Sequence, residues 1–399
     1  MWNALVLAAA VGHSVAVYAS PTWPYNSGGQ YAPQTAETYA SRTYFYAGGR
    51  YINATLPGKN TSSQYMVGQI YVERLQPAHI RHKYPLVFTA GNGQTGSNWL
   101  NTPDGREGWA SYFLRQGYEI YLTDQTLRGR SPWLPIPGGP DSGNVTAYST
   151  TQTSSLFTAP PAFDPLPYPQ AVNHTQWPGT GLPGDEIFDA FYASQLQTVS
   201  STALVARDNN ASYTALLDRI GAAVVLTHSQ AGSFGWQLGD ARPNLVKAIV
   251  ALEPSGPPFA NWLGAPFPPD YQSNEMRPYG LTILPLAYAP DVGMNASLLS
   301  TVTIPARDNQ SAPCTLQAAP AKRLVNLGKI PVLMLTSEAS YHAVYDYCTA
   351  AYLQQAGVNL TYVDLPEVGI HGNGHFIFLE KNNLQVAEEV VMPWLRGCG

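Results

Sequence analysis

Charge is scarce in this chain of 399 residues. Only 12% are Asp, Glu, Lys or Arg, and the formal net charge is −5. No run of Lys or Arg stands out. Without a basic stripe there is no electrostatic footing for nucleic acid and no polybasic grip on an anionic membrane, so neither is expected as a partner. Cysteine is scarce as well, with only Cys314, Cys348 and Cys398. Their spacing is not a metal-ligand pattern, and an odd count allows one disulfide with a thiol left over, the pairing being open. No metal or organic cofactor is expected. No stretch, the N-terminal one included, stays apolar for the ~20 residues that a bilayer span takes, so stable membrane insertion is not expected.

What the chain does have is apolar bulk and irregular, aromatic-rich sequence. Hydrophobic residues make up 45%, enough in a chain this long to bury a large core. The 34 Pro, 35 Gly and 25 Tyr point to long structured loops rather than a helical bundle. Ala4 to Val17 is apolar or small except for His13 and Ser14, and Val17-Tyr18-Ala19 offers a signal-peptidase site before Ser20. Residues 1–19 therefore read as a signal peptide, although the n-region lacks Lys and Arg. Asn-X-Ser/Thr sequons begin at Asn53, Asn60, Asn144, Asn173, Asn210, Asn295, Asn309 and Asn359. Signal and sequons agree on a secreted, extracellular glycoprotein.

After a polar, Pro/Tyr-rich arm at 20–41, strand-like runs cover 43–52, 64–74, 84–89 and 118–123, with a helical segment at 108–116. Residues 131–184 lose regular periodicity and fill with Pro, Gly, Ser, Thr and aromatics. A loop of that length inside a domain is usually functional or disordered, and its aromatic content favours a packed cap. Helical patterns run from 185 to 220, then strand 222–226, helix 230–240 and strand 245–252. A second Pro-rich insertion spans 254–324. Strand 330–335, helix 345–355, strand 360–365 and helix 383–395 follow. Such alternation argues for an α/β fold: a mostly parallel central sheet with helices on both faces. Residues 20–399 read as one domain with cap insertions at about 131–184 and 254–324.

The chemistry concentrates where the strand Val224-Val225-Leu226 meets a helix through Thr227-His228-Ser229-Gln230-Ala231-Gly232. A nucleophile elbow needs small residues at −2 and +2 of its serine, so that strand and helix can approach while the hydroxyl stays exposed. Thr227 and Ala231 fill those places for Ser229. Ser233 competes, flanked by Ala231 and Gly235, but it sits deeper in the helix; an ordinary helix N-cap is the plain alternative for either. The base should follow the last strand. His375 meets that in the Gly-rich segment Ile370-His371-Gly372-Asn373-Gly374-His375, with His371 as its rival. Two carboxylates end strands, Glu253 one strand after the serine and Glu338 one strand later, and the residues alone leave them even. An oxyanion hole would take the Gln230 N–H and one from Ala90-Gly91-Asn92-Gly93, with Asn92 ahead of Gly93. That loop is no phosphate cradle, since no Lys-Ser/Thr follows it.

Several stretches together resemble a known family. They are Thr102-Pro103-Asp104-Gly105-Arg106-Glu107-Gly108-Trp109, then Asp124-Gln125 with Arg128-Gly129-Arg130-Ser131, Thr175-Gln176-Trp177-Pro178 and Thr227-His228-Ser229-Gln230. Leu252-Glu253-Pro254, His371-Gly372-Asn373-Gly374-His375 and Lys381-Asn382-Asn383-Leu384 complete the set. In order, over about residues 85–395, they are similar to the α/β-hydrolases related to an unusual bacterial periplasmic esterase, and more closely to their secreted fungal relatives. The resemblance implies the α/β-hydrolase fold with Ser229 as nucleophile, Glu253 as acid and His375 as base, which breaks the tie with Glu338. One departure stands out. The bacterial relative has His-Gly followed by two adjacent cysteines at its oxyanion loop, where this chain has Ala90-Gly91-Asn92-Gly93.

The leading expectation is a serine carboxylesterase working through an acyl-enzyme on a small-molecule ester or lactone. Alternatives are a lactonase or acyltransferase acting on a secondary metabolite with the same triad, and a secreted non-catalytic binding protein on the hydrolase fold. Trp133, Phe157, Trp177, Tyr192 and Tyr341 are candidate pocket residues, with cap core as the plain alternative for each. The sequence sets no oligomeric state.

Overall fold

The structure, a computed structural model, describes residues 38–134, 144–262, 267–269 and 276–398. The expected signal peptide and most of the 20–41 arm lie outside the described residues, as do parts of both insertions. Contacts gather residues 34–399 into one unit.

Eight strands form its central sheet: β1 (Ala40–Ala54), β2 (Ser63–Pro77), β3 (Leu86–Thr89), β4 (Ile120–Asp124), β5 (Ala223–His228), β6 (Val246–Leu252), β7 (Pro331–Thr336) and β8 (Asn359–Asp364). Their spatial order is β1-β2-β4-β3-β5-β6-β7-β8. β1 and β2 pair antiparallel, as do β2 and β4, and all pairs from β4 onward are parallel. The expected mostly parallel sheet is borne out.

Both faces of the parallel part are covered, which is why its strands read as continuous apolar runs rather than alternating ones. Alternate residues still part to opposite faces. Leu86, Phe88, Leu226, Val250 and Leu335 face a cluster with Trp109, Phe113 and Phe378. Val87, Val225, Ile249, Ala251 and Met334 face another with Leu216, Trp236 and Tyr352. Full burial of each large side chain contributes about 1.5–3 kcal/mol, so this central layer gives the functional rim a rigid base.

The covering helices are α1 (Trp109–Arg115), α2 (Glu186–Ala193), α3 (Thr202–Ile220), α4 (Ala231–Ala241) and α5 (Asp346–Gln355). The helical pattern expected over 185–220 divides into α2 and α3, each with its own N-cap. Asp185 accepts from the Ile187 and Phe188 N–H groups, and Ser201 from that of Leu204. The expected helix at 383–395 is a succession: Asn383–Val386, a wider π-type turn over Ala387–Val391, and Met392–Gly397. Pro393, which has no N–H to give, lies just past the widened turn.

The described parts of the insertions carry short elements, including the hairpin Thr301–Ile304 with Cys314–Gln317. A Cys314–Cys348 disulfide ties that hairpin to α5 and leaves Cys398 free, which answers the pairing left open by the sequence. Among the described residues no helix is long and apolar enough to cross a membrane. Of the sequon asparagines, Asn53, Asn60, Asn144, Asn173, Asn295, Asn309 and Asn359 are exposed. Asn210 is half-buried on α3, where the hydroxyl of its sequon partner Ser212 is buried against the Gly68 carbonyl.

Candidate active site

Parallel register brings the C-terminal ends of β3, β5, β6 and β7 to one rim, with Thr89 beside Thr227, His228 beside Leu252 and Leu252 beside Leu335. Ser229 leaves β5 there with φ of 53°, a left-handed conformation that a non-glycine residue adopts only under constraint. Its carbonyl is gripped by the N–H groups of Gly232 and Ser255 and by the Ser255 hydroxyl, at 2.9, 2.9 and 3.0 Å. Gly232 lets α4 approach the end of β6, since a Cβ there would lie 2.3 Å from Pro254 Cβ. Ser233 is placed otherwise: its hydroxyl donates back to the Gln230 carbonyl at 2.9 Å, an ordinary bond inside a helix start.

Glu253 also has a positive φ, 43°, as the chain turns off β6. Its buried carboxylate lies 2.5 Å from His375 Nδ1. It also accepts from the Ser337 N–H at 2.8 Å and from the Ser340 hydroxyl at 2.7 Å. The rival pair is brought together elsewhere. Glu338 accepts from the Gly372 N–H at 2.7 Å, and the exposed His371 ring lies 3.3 Å from it. Geometry thus joins Glu253 to His375 and Glu338 to His371.

Burial dominates the electrostatics. It pushes the His375 imidazole well below its usual range, with His342 adding to the effect. It raises the Glu253 carboxyl, against the pull of His342, Ser340 and Ser337. The ground state therefore has a neutral imidazole at neutral pH, with Nδ1–H directed to the carboxylate and Nε2 left to accept a proton. The Ser229 hydroxyl faces the Tyr341 phenol, which burial holds protonated far above its usual range. Among the described residues no hydrogen bond joins Ser229 to His375.

The Gly-rich loop after β3 passes close over this elbow. A Cβ on Gly91 would lie 2.9 Å from His228 Nδ1 and 3.0 Å from Ser229 Cβ, so only glycine fits without a shift. The N–H groups of Asn92 and Gln230 have no hydrogen-bond partner among the described residues. A cavity of about 200 Å³ is lined by Ser229, Asn92 and Gln230 together with Tyr148, Trp262 and Tyr341. Gly93 is not on it. A larger cavity of about 350 Å³ lies at the β8 edge among Leu333, Thr361, Val390 and Trp394; no serine, cysteine or histidine lines it, and it shares no lining residue with the cavity at Ser229.

Of the expected pocket residues, Tyr341 lines the cavity, and Phe157 stacks on His375 at 5.3 Å. The others do not line it. Trp177 packs on Phe191, Tyr192 stacks on Phe188, and Trp133 packs against the cluster of Leu127, Val205 and Phe234. Sequence reasoning missed His342, whose ring stacks on His375 at 4.8 Å while its Nδ1 lies 3.0 Å from Asp346. The i,i+4 spacing of His342 and Asp346 was the available signal. It also missed Ser337 and Ser340, which nothing local distinguishes from other loop serines.

Glu253, His342 and His375 hold ligand-type atoms within 4.8 Å of one another. Apart from His375 Nε2, their ring nitrogens and carboxylate oxygens are already engaged, His375 Nδ1 with Glu253, His342 with Asp346 and Tyr345, and Glu253 also with the two serines, so the group fits a hydrogen-bond network better than a metal cage.

The stretches around Arg106, Thr175 and Asn383 support the His375 loop. Arg106 donates to the carbonyls of Leu379, Glu380 and Lys381 and to Asn383. Thr175 and Gln176 donate to the Gly372 carbonyl at 3.0 and 3.1 Å. Buried Glu380 receives the Gly374 N–H and the Asn373 amide and lies 2.8 Å from His174. This network fixes the loop that carries His375.

A strand order β1-β2-β4-β3-β5-β6-β7-β8, with a strained serine after β5 and a histidine after β8, defines the α/β-hydrolase class. No family model matches the chain. It is 51% identical over 354 residues to the probable secreted lipase phiG of Fungal sp. (strain ATCC 74256), covering 89% of each chain. It superposes on the structure of a novel bacterial esterase with a TM-score of 0.61 at 22% identity, covering 92% of this chain and 98% of that one. The chain belongs to this family of secreted fungal α/β-hydrolases, enzymes of the lipase and esterase type.

Proposed function

We propose that the enzyme hydrolyses carboxylic esters through an acyl-enzyme, with Ser229 as nucleophile, His375 as base and Glu253 as the acid that orients it. The observation that carries this reading is the 2.5 Å contact between His375 Nδ1 and a Glu253 carboxylate that two serines also hold. On substrate entry the Ser229 hydroxyl turns from Tyr341 toward His375, whose ring centroid is only 5.1 Å from that of Tyr341. Ser229 Oγ attacks the ester carbonyl as its proton passes to His375 Nε2. Glu253 stabilises the resulting imidazolium, and the N–H groups of Asn92 and Gln230 bind the oxyanion. His375 then protonates the leaving alcohol, and water repeats the sequence on the acyl-enzyme. No group beyond these residues is called on. The substrate is a small-molecule ester, in keeping with the lipase name of the relative. The exposed sequons would carry N-glycans in the secreted protein.

The test is labelling with a fluorophosphonate followed by peptide mass spectrometry. The adduct is expected on Ser229, with Ser229→Ala losing both label and p-nitrophenyl ester hydrolysis while Ser233→Ala keeps both. An adduct on Ser233, or full turnover by Ser229→Ala, would sink the assignment.

A further inference from the structure

Buried on the far side of the oxyanion loop is a guanidinium that the triad does not use. Arg128 is 2% exposed. It follows Leu127, whose φ of 67° turns the chain so that the arginine enters the interior. Its Nη1 donates to the Gly91 carbonyl at 3.2 Å and its Nη2 to the Gln230 side-chain oxygen at 3.0 Å. Among the described residues no carboxylate contacts it. The nearest acid in this segment, Asp124, is saturated by Arg130 and by the Gly96 N–H. A buried charge without a salt-bridge partner is costly to keep, and removing its solvation demands some return.

The two acceptors say what that return is. The Gly91 carbonyl belongs to the same peptide unit as the Asn92 N–H. In a planar trans peptide the C=O and N–H point in opposite directions, so a cation fixed on the oxygen side aims the N–H away from itself. Asn92 lies on the cavity that holds Ser229. Withdrawing electron density at the Gly91 oxygen also makes the Asn92 N–H a stronger donor, by the same polarisation that runs along hydrogen-bond chains. The second acceptor belongs to Gln230, the residue whose N–H is the other donor. The neighbouring peptide is held as well, because the Gln125 amide donates to the Ala90 carbonyl at 2.6 Å.

We propose that Arg128 is a positioning residue for the oxyanion hole: one buried guanidinium orders and polarises both halves of it, the Gly91–Asn92 peptide and Gln230. This rests on the Ser229 reading above. The positive charge of Arg128 acts most when negative charge forms on the substrate oxygen and little before, so it contributes to turnover rather than to substrate affinity.

The experiment compares wild type with Arg128→Met and Arg128→Lys on a p-nitrophenyl ester and on an aryl trifluoromethyl ketone, which adds a serine to form a bound oxyanion. In Arg128→Met, kcat is expected to fall roughly 10- to 100-fold, less than loss of an oxyanion donor itself. The ketone should weaken by a similar factor, and KM should stay within about threefold, as for an interaction made only in the transition state. Arg128→Lys, which keeps the charge but reaches one acceptor at a time, should lie between. Unchanged kcat, or a fall in kcat with unaltered ketone affinity, overturns the proposal. If Arg128→Met does not fold, Gln230→Met takes away one of the two acceptors. It must show the same parallel loss, and unaltered values for it overturn the proposal equally. Ser229→Ala run alongside separates the two readings. If it keeps turnover, the Ser229 assignment fails; if it is inactive while Arg128→Met and Gln230→Met behave as wild type, only the role of Arg128 falls.

Discussion

Glutamine at position 253 is the sharpest probe of this site, because three donors converge on the native carboxylate. The Ser337 N–H reaches one oxygen, and the Ser340 hydroxyl and His375 Nδ1–H reach the other. A carboxylate accepts from all three, whereas an amide offers one oxygen and one NH2. If the amide oxygen faces Ser337, the NH2 faces His375 and forces the ring into the tautomer with its proton on Nε2, where it cannot take one from Ser229. If the amide flips, its NH2 opposes the Ser337 N–H in a fully buried place, which costs about 1–3 kcal/mol. Either way the charge that stabilises the imidazolium is gone. Glu253→Gln should therefore lower kcat by roughly 10³- to 10⁴-fold, the scale seen when the acid of a serine triad becomes an amide. Initial rates on a p-nitrophenyl ester, with thermal unfolding to show that the variant is folded, measure this. Glu338→Gln is the control. Its carboxylate serves the Gly372 N–H and an exposed histidine, and turnover should stay within about threefold of wild type, as for substitutions away from a site. A Glu253→Gln enzyme within tenfold of wild type, or a Glu338→Gln enzyme equally damaged, would refute the triad as drawn.

Two further outcomes follow from the same geometry. In Gly91→Ala, the new methyl meets His228 and Ser229 at 2.9–3.0 Å and must push the oxyanion loop off the elbow; kcat should fall about 10- to 100-fold, on the scale of catalytic misplacement, and wild-type kcat in the folded variant would show that the loop needs no such approach. Because burial holds the His375 pKa well below the usual imidazole range, its neutral, active form persists as pH falls past 6.5; the acid limb of kcat/KM should lie below that pH, and a limb at 7 or above would contradict the buried, neutral base.

The fold was legible because its signals are local and repeated. Short apolar runs alternating with helical periodicity require a covered parallel sheet, and the strands predicted at 222–226, 245–252 and 330–335 match β5, β6 and β7 within about two residues, the usual scatter at element ends. Small residues around Ser229 mark the elbow in the sequence itself, for a steric reason that acts within a few positions. The choice between Glu253 and Glu338 had no such local signal. Both end a strand, and only the resemblance separated them.

Tertiary structure decided what depends on approach between distant segments. It put Glu253 against His375, 122 positions away, and sent Glu338 to His371 instead. It packed Trp133, Trp177 and Tyr192 against neighbouring side chains rather than on the cavity, since an aromatic residue in an irregular segment carries no mark of which way it packs. It stacked His342 on His375 and placed Arg128 behind the oxyanion loop, two buried polar groups whose partners lie on other elements. The proposed nucleophile, its turn and the alternation of strands and helices belong to the sequence, because hydrophobic period and backbone sterics act over short range. The hydrogen bonds and approaches that the proposed base His375 and the proposed oxyanion hole of Asn92 and Gln230 require belong to the fold, because they exist only once the sheet brings four strand ends to one rim.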